Sequence, residues 1–141
     1  MTKQAVFKAL RDSGHKLTPQ RSAIVEAVLS AEKSLTPQEL HAVLSEKHLE
    51  IGLVTVYRTL EILNQLGLLC QFHPEGGARS FKAGPPEHHH HLVCRGCGEV
   101  VNFGQCPLEL ETVLERQTGF RITDHRIEFE GYCRTCQDES R

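Results

Sequence analysis

The side chains of this chain with the most chemistry to offer are its six cysteines and nine histidines. Four cysteines form two pairs, Cys94-x-x-Cys97 and Cys133-x-x-Cys136, separated by 35 residues. Each pair can fill two corners of a tetrahedron from one tight turn, and Gly96 and Gly98 let the backbone wrap an ion. Thiolates select zinc over calcium, magnesium or manganese, and four protein ligands leave no open position, so the spacing predicts a structural zinc. The competing reading is a pair of redox dithiols, which needs a βαβ frame that this sequence lacks.

His88 to His91 are consecutive. On a strand, successive side chains face opposite sides, so His88 and His90 share one face and His89 and His91 the other. One strand can then feed two separate metal sites. The plain alternative is a row of solvated histidines on a strand edge. His15, His41 and His48 have no partners at ligand spacing and read as surface side chains.

The elements that must position these groups fall into two sets. Val6, Ala9 and Leu10 mark a helix that stops at Gly14. Thr18-Pro19 opens a second helix and Thr36-Pro37-Gln38-Glu39 a third, the last with a capping box. A fourth runs from about Val54 to Leu66, with Val56, Leu60 and Leu63 inward and Gly67 as its stop. Leu68–Phe72 and Ala78–Lys82 read as two strands around Pro74-Glu75-Gly76-Gly77. Helices followed by a hairpin make a winged helix-turn-helix, its third and fourth helices forming the turn pair. Residues 83–87 are a Gly/Pro linker. Beyond it the pattern predicts strands at His89–Val93 and Glu99–Phe103, a helix from about Pro107 to Gln117, and a strand from about Arg121 to Phe129. The fold class is therefore α+β. A winged-helix domain spans 1–82, a hinge 83–87, and a small α/β domain 88–141. The last is small enough to need a metal clip, a partner subunit or both.

At 24% charged and 39% hydrophobic the sequence reads as globular, with formal net charge −2. The charge is unevenly placed: residues 1–84 carry 10 basic and 8 acidic side chains, residues 85–141 carry 6 and 10. The first half suits phosphate and the second a cation. No apolar run is long enough for a membrane helix, and Met1–Lys8 lacks the apolar core of a secretory signal, so a reducing cytoplasm is the expected compartment.

Three stretches resemble the ferric uptake regulator (Fur) family: His88-His89-His90-His91-Leu92-Val93-Cys94-Arg95-Gly96-Cys97-Gly98, Ile51-Gly52-Leu53-Val54-Thr55-Val56-Tyr57-Arg58-Thr59-Leu60, and Gly131-Tyr132-Cys133-Arg134-Thr135-Cys136. The resemblance extends from Leu17-Thr18-Pro19-Gln20-Arg21 to the second cysteine pair. It implies a homodimeric, metal-dependent regulator that is not an enzyme, with an N-terminal winged helix and a C-terminal dimerisation domain. The partner would be double-stranded operator DNA with an inverted repeat, and no membrane would be involved.

The same resemblance implies a sensory site between the domains, using Cys70, His89 and His91. Its fourth ligand stays open among Cys106, His73, Glu87 and water. Where the iron and peroxide branches have a wing-strand carboxylate, a histidine before the third helix and a further carboxylate, this chain has Lys82, Ser34 and Asn102. Losing oxygen ligands and gaining a thiol favours zinc, which resembles the zinc-uptake regulator (Zur) branch. The plain alternative for Cys70 is a small buried hydrophobe. A second dimerisation-domain site would use His88, His90, Glu109 and His125, with Glu111 as the alternative acid. The expected cofactor is zinc, two to three ions per subunit.

For DNA, the fourth helix offers Thr55, Tyr57, Arg58 and Thr59 near its N-terminal end, the end that a helix-turn-helix protein presents to the major groove. Lys16 and Arg21 match family contacts to the backbone or minor groove. The function that follows is zinc-dependent operator binding, with repression of zinc-uptake genes. Competing readings are an iron- or peroxide-responsive relative and a thiol redox sensor using Cys70 and Cys106. A zinc deaminase is a weaker rival. His73-Pro74-Glu75 and Cys94-x-x-Cys97 give its outline, but Val93 stands where proline belongs and Cys133/Cys136 would be idle.

Overall fold

The computed structural model describes residues 1–47, 49–73, 77–84, 88–106 and 108–139. The chain divides into two compact units, Met1–Pro86 and Glu87–Arg141. The linker expected at 83–87 lies partly outside the described residues, as do His48 and the tip of the hairpin at 74–76.

The first unit contains α1 (Lys3–Asp12), α2 (Pro19–Ser30), α3 (Pro37–Glu46), α4 (Leu53–Gln65), β1 (Leu69–Phe72) and β2 (Ser80–Ala83). Local chemistry sets the helix starts. Thr2 and Thr18 each accept a backbone N–H at the N-cap, and Pro19 occupies the first turn of α2. At α3, Glu39 N–H donates to Thr36 Oγ1 at 3.1 Å while Thr36 N–H donates to Glu39 Oε2 at 2.8 Å. Each such cap stabilises its helix by about 1 kcal/mol. Gly67, at φ 72°, ends α4 in the left-handed region that favours glycine. Val6, Leu10, Ile24, Leu40, Val56 and Leu60 form the centre of the core.

α4 begins one residue earlier than the pattern predicts. Its buried face is Val56, Thr59, Leu60 and Leu63, so Thr59 points into the core and not toward DNA. β1 and β2 pair antiparallel, with Cys70 opposite Lys82 and Phe72 opposite Ser80. Leu35 adds a bridge to Phe81, its N–H and carbonyl each bonded at 2.8 Å, which ties the wing to the segment before α3.

The second unit contains β3 (His90–Cys94), β4 (Val100–Phe103), α5 (Leu108–Thr118), β5 (Glu128–Gly131) and α6 (Arg134–Glu139). Its sheet has the order β4-β3-β5, with β4 antiparallel and β5 parallel to β3. The strand expected over Arg121–Phe129 is shorter. Its ladder starts at Glu128 opposite His91 and runs on to Gly131 opposite Cys94, with His91 N–H donating to the Ile127 carbonyl at 3.2 Å; upstream of Ile127 there is no β3 residue left to pair with. α6 is an additional short helix carrying Cys136.

Candidate metal centres

The Sγ atoms of Cys94, Cys97, Cys133 and Cys136 lie within 4.8 Å of one another. Four thiolates at about 2.3 Å from one zinc sit about 3.8 Å apart at tetrahedral angles. Cys97 and Cys133 Sγ are 3.8 Å apart. β3 delivers Cys94 to the turn that carries Cys97, and the parallel pairing of Cys94 with Gly131 brings Cys133 and α6 to the same place. The backbone N–H groups of Cys133 and Cys97 donate to Cys94 Sγ at 3.3 and 3.5 Å, and they hold its thiol down to about 6. Cys136 faces the other sulfurs, Cys133 foremost, and is buried, so its thiol is pushed up to about 12. Four sulfurs packed this closely cannot all ionise without a cation, and a divalent soft metal fits that donor set. The deaminase outline loses its basis here, since Cys94 and Cys97 share their centre with the pair it leaves unused.

A second cluster gathers His88, His90, His125 and Cys106. His125 Nε2 lies 3.1 Å from His88 Nε2 and 3.2 Å from His90 Nε2. His90 Nε2 lies 3.2 Å from Cys106 Sγ. His90 is fully buried, and burial, followed by the nearby His88 and His125 rings, holds its imidazole below the usual range. Among the described residues Glu109 is not part of this cluster. The acid on α5 that reaches it is Glu111, whose Oε1 bonds His125 Nδ1. The α5 side chain was a choice between two acids in the sequence, and helix phase alone could not order them. Cys106, one of the choices for the fourth ligand of the sensory site, lies instead with His88, His90 and His125, where no ligand spacing marked it. It is the hairpin register, His90 opposite Phe103, that returns the chain to His90 a few residues later.

On the other face, His89 and His91 have ring centroids 4.8 Å apart. Asn102 is the Cα partner of His91 on β4 and Glu128 its partner on β5. Cys70 lies on β1 of the first unit, where burial raises its thiol and the Lys82 ammonium partly offsets that. Lys82 Nζ donates to the carbonyls of Ala31 and Glu32 at 2.9 and 3.0 Å, and Ser80 Oγ bonds Ser34 Oγ at 3.0 Å.

On α4, Val54, Tyr57 and Arg58 are exposed and Thr55 is half-buried. Gln38 Nε2 donates to the Tyr57 hydroxyl at 2.9 Å, joining α3 to α4 on the outer side. Lys16 is exposed, and Arg21 donates to its carbonyl at 2.6 Å.

The sequence profile described as the Ferric uptake regulator family matches residues 12–130. This chain belongs to that family. It is 41% identical over 136 residues to the Ferric uptake regulation protein of Bacillus subtilis, covering 93% of this chain and 91% of that one. It is 32% identical to the peroxide-responsive repressor PerR of Staphylococcus saprophyticus, over 93% and 88% of the two chains. Among solved structures, the ferric uptake regulator of Vibrio cholerae superposes with a TM-score of 0.67 at 35% identity, covering 89% of this chain and 98% of that one. The Fur-family fold is thus an N-terminal helix-turn-helix domain followed by a small α/β domain, and its members are transcription regulators, not enzymes. Among the described residues no helix is long and apolar enough to cross a membrane.

Proposed function

We propose that this Fur-family regulator senses zinc, binds an inverted-repeat operator as a cytoplasmic homodimer when zinc-loaded, and represses zinc-uptake genes. One observation carries the choice of metal. Lys82 and Ser34, standing where the iron and peroxide branches are expected to place a carboxylate and a histidine, are both engaged in bonds inside the first unit. The wing therefore offers a thiol, Cys70, in place of hard oxygen donors. In the second unit the Cα partner of His91 on β4 is Asn102, where the iron and peroxide branches are expected to place a carboxylate, and its partner on β5 is Glu128. A thiolate with two imidazoles is a soft donor set, suited to zinc over iron or manganese. Cys70, His89 and His91 would hold the sensed ion, and Cys94, Cys97, Cys133 and Cys136 a structural one.

The outward face of α4 supports the DNA reading. Val54 is 63% and Tyr57 43% exposed, so both are open to base edges and thymine methyls. Arg58 would reach a phosphate or a guanine. Lys16 and Arg21 would flank the helix on the backbone. Dimerisation is supported by the second unit: Leu92 pairs with Val101 on one side and Phe129 on the other, and all three are exposed, a row of apolar side chains across the sheet.

The test is operator binding at buffered free metal, with sedimentation of the same samples. Zinc promoting binding by a dimer at lower free concentration than iron or manganese is the expected result. Iron or manganese acting first would overturn the choice of metal. A monomer that binds operator fully would overturn the symmetry.

A further inference from the structure

We infer that Cys106 completes the second cluster as a thiolate, making a closed three-histidine, one-cysteine zinc site from His88, His90, His125 and Cys106, with Glu111 behind it as the carboxylate that orients His125. The inference takes from the proposed function only that the chain binds zinc. Its test uses no DNA, so the two can fail separately.

Three imidazole nitrogens at about 2.0 Å from one zinc lie about 3.3 Å apart at tetrahedral angles. The observed separations between Nε2 atoms are 3.1 Å for His88 and His125, and 3.2 Å for His90 and His125. Cys106 Sγ sits 3.2 Å from His90 Nε2. All four donor atoms fall within 4.8 Å of one another.

Hydrogen bonding alone accounts poorly for this arrangement. Glu111 Oε1 bonds His125 Nδ1, which places the ring proton there and leaves Nε2 with one lone pair. That lone pair faces the nitrogens of two other rings and cannot accept well from both. A cation shared by all three rings removes the conflict. The Glu111–His125 pair is then the outer bond that fixes tautomer and ring direction in metal-ligating histidines. Charge agrees as well. Zinc with one thiolate leaves a single positive charge, and the Glu111 carboxylate balances it in a site where His90 is fully buried. The chain geometry needs no rearrangement, because β4 runs antiparallel to β3 and its exit returns Cys106 to the side of His90. A thiolate in this position commits the centre to a soft metal and closes it to solvent ligands.

The experiment uses full-length Cys70→Ala protein carrying one zinc in the four-cysteine centre, to which cobalt(II) is added. With those four thiols occupied and Cys70 absent, a near-ultraviolet thiolate-to-cobalt band from the first added equivalent reports Cys106. The band, with the visible intensity of a tetrahedral ion and the zinc still in place, is the expected result. Adding Cys106→Ser should abolish it. Glu111→Gln should keep the band and weaken cobalt binding about 10- to 100-fold. A first cobalt that binds without the band overturns the thiolate ligand, as does an unchanged band in Cys106→Ser. Unaltered affinity in Glu111→Gln removes Glu111 from its role.

Discussion

Gly96 lies so close to Cys136 that a Cβ built on it would stand 2.8 Å from that cysteine's Cβ and Sγ. Real Cβ atoms do not approach so closely, and the atoms met belong to a buried side chain in the sulfur cluster. Gly96→Ala should therefore push Cys136 off its corner. The expected outcome is faster loss of one zinc per subunit to a chelator, with the first unit still folded. Cys97→Ser, which removes a donor outright, should lose that zinc without challenge and weaken dimerisation. Metal analysis of the purified variants, with sedimentation, checks both; Gly96→Ala protein as chelator-resistant as the parent would count against a close-packed zinc site.

Arg58 and Tyr57 provide the second prediction. Both are exposed on α4, whose opposite face is held by Val56, Thr59, Leu60 and Leu63, so neither change should disturb the core. Arg58→Ala should weaken operator binding by about 1–3 kcal/mol and, if the contact is to a phosphate, flatten the salt dependence by about one unit of slope. Zinc content should be unchanged. Tyr57→Phe removes the bond from Gln38 as well as any base contact and should have a smaller effect. Fluorescence anisotropy on an operator fragment at several salt concentrations separates these outcomes.

The helices were legible from their ends: Thr18-Pro19 and Thr36-Pro37 start α2 and α3 by capping, and Gly67 stops α4, whose start carries no side-chain cap. The convergence of the four cysteines was legible because ligand spacing survives in the sequence. Thr59 misled: its position completes the helical period of Val56, Leu60 and Leu63, but a hydroxyl reads as outward. The second cluster was harder. Its histidine face followed from strand alternation, whereas Cys106 and Glu111 arrive through the β3–β4 register and the packing of α5, neither of which leaves a spacing signal. The strand over 121–127 failed for a related reason, since alternation specifies a strand only where a neighbour is there to pair with it.

Lys82 stands opposite Cys70 and bonds two carbonyls at the end of α2. Lys82→Glu would remove those charge-assisted bonds, at a cost of about 1.5–3 kcal/mol if the site does not adjust, and would place an oxygen donor beside the thiol. The variant should melt lower than the parent. Its operator binding should also respond to manganese or iron at lower free concentration than the parent's does, because hard cations favour carboxylate. Unchanged metal preference with the expected loss of stability would make Lys82 a structural residue only.

The last prediction concerns how metal controls DNA binding. Cys70 belongs to the wing of the first unit, and His89 and His91 to the start of the second. If these three share one ion, the linker between them is bridged whenever zinc is present. Zinc can then shift the arrangement of the two units only by its differential affinity for the bridged form. Converting a 1:99 population to 99:1 takes about 5.5 kcal/mol, a modest demand on a thiolate and two imidazoles. Cys70→Ala, or His89→Ala with His91→Ala, should leave the dimer and the four-cysteine zinc intact and abolish zinc-stimulated operator binding. His88→Ala with His90→Ala acts on the opposite face of the same strand and should leave the response in place while lowering metal content by one ion. Anisotropy titrations at buffered free zinc, with metal counted in the same preparations, distinguish the two faces. If the His88/His90 pair abolishes the response and the Cys70 and His89/His91 variants keep it, sensing lies on the other face.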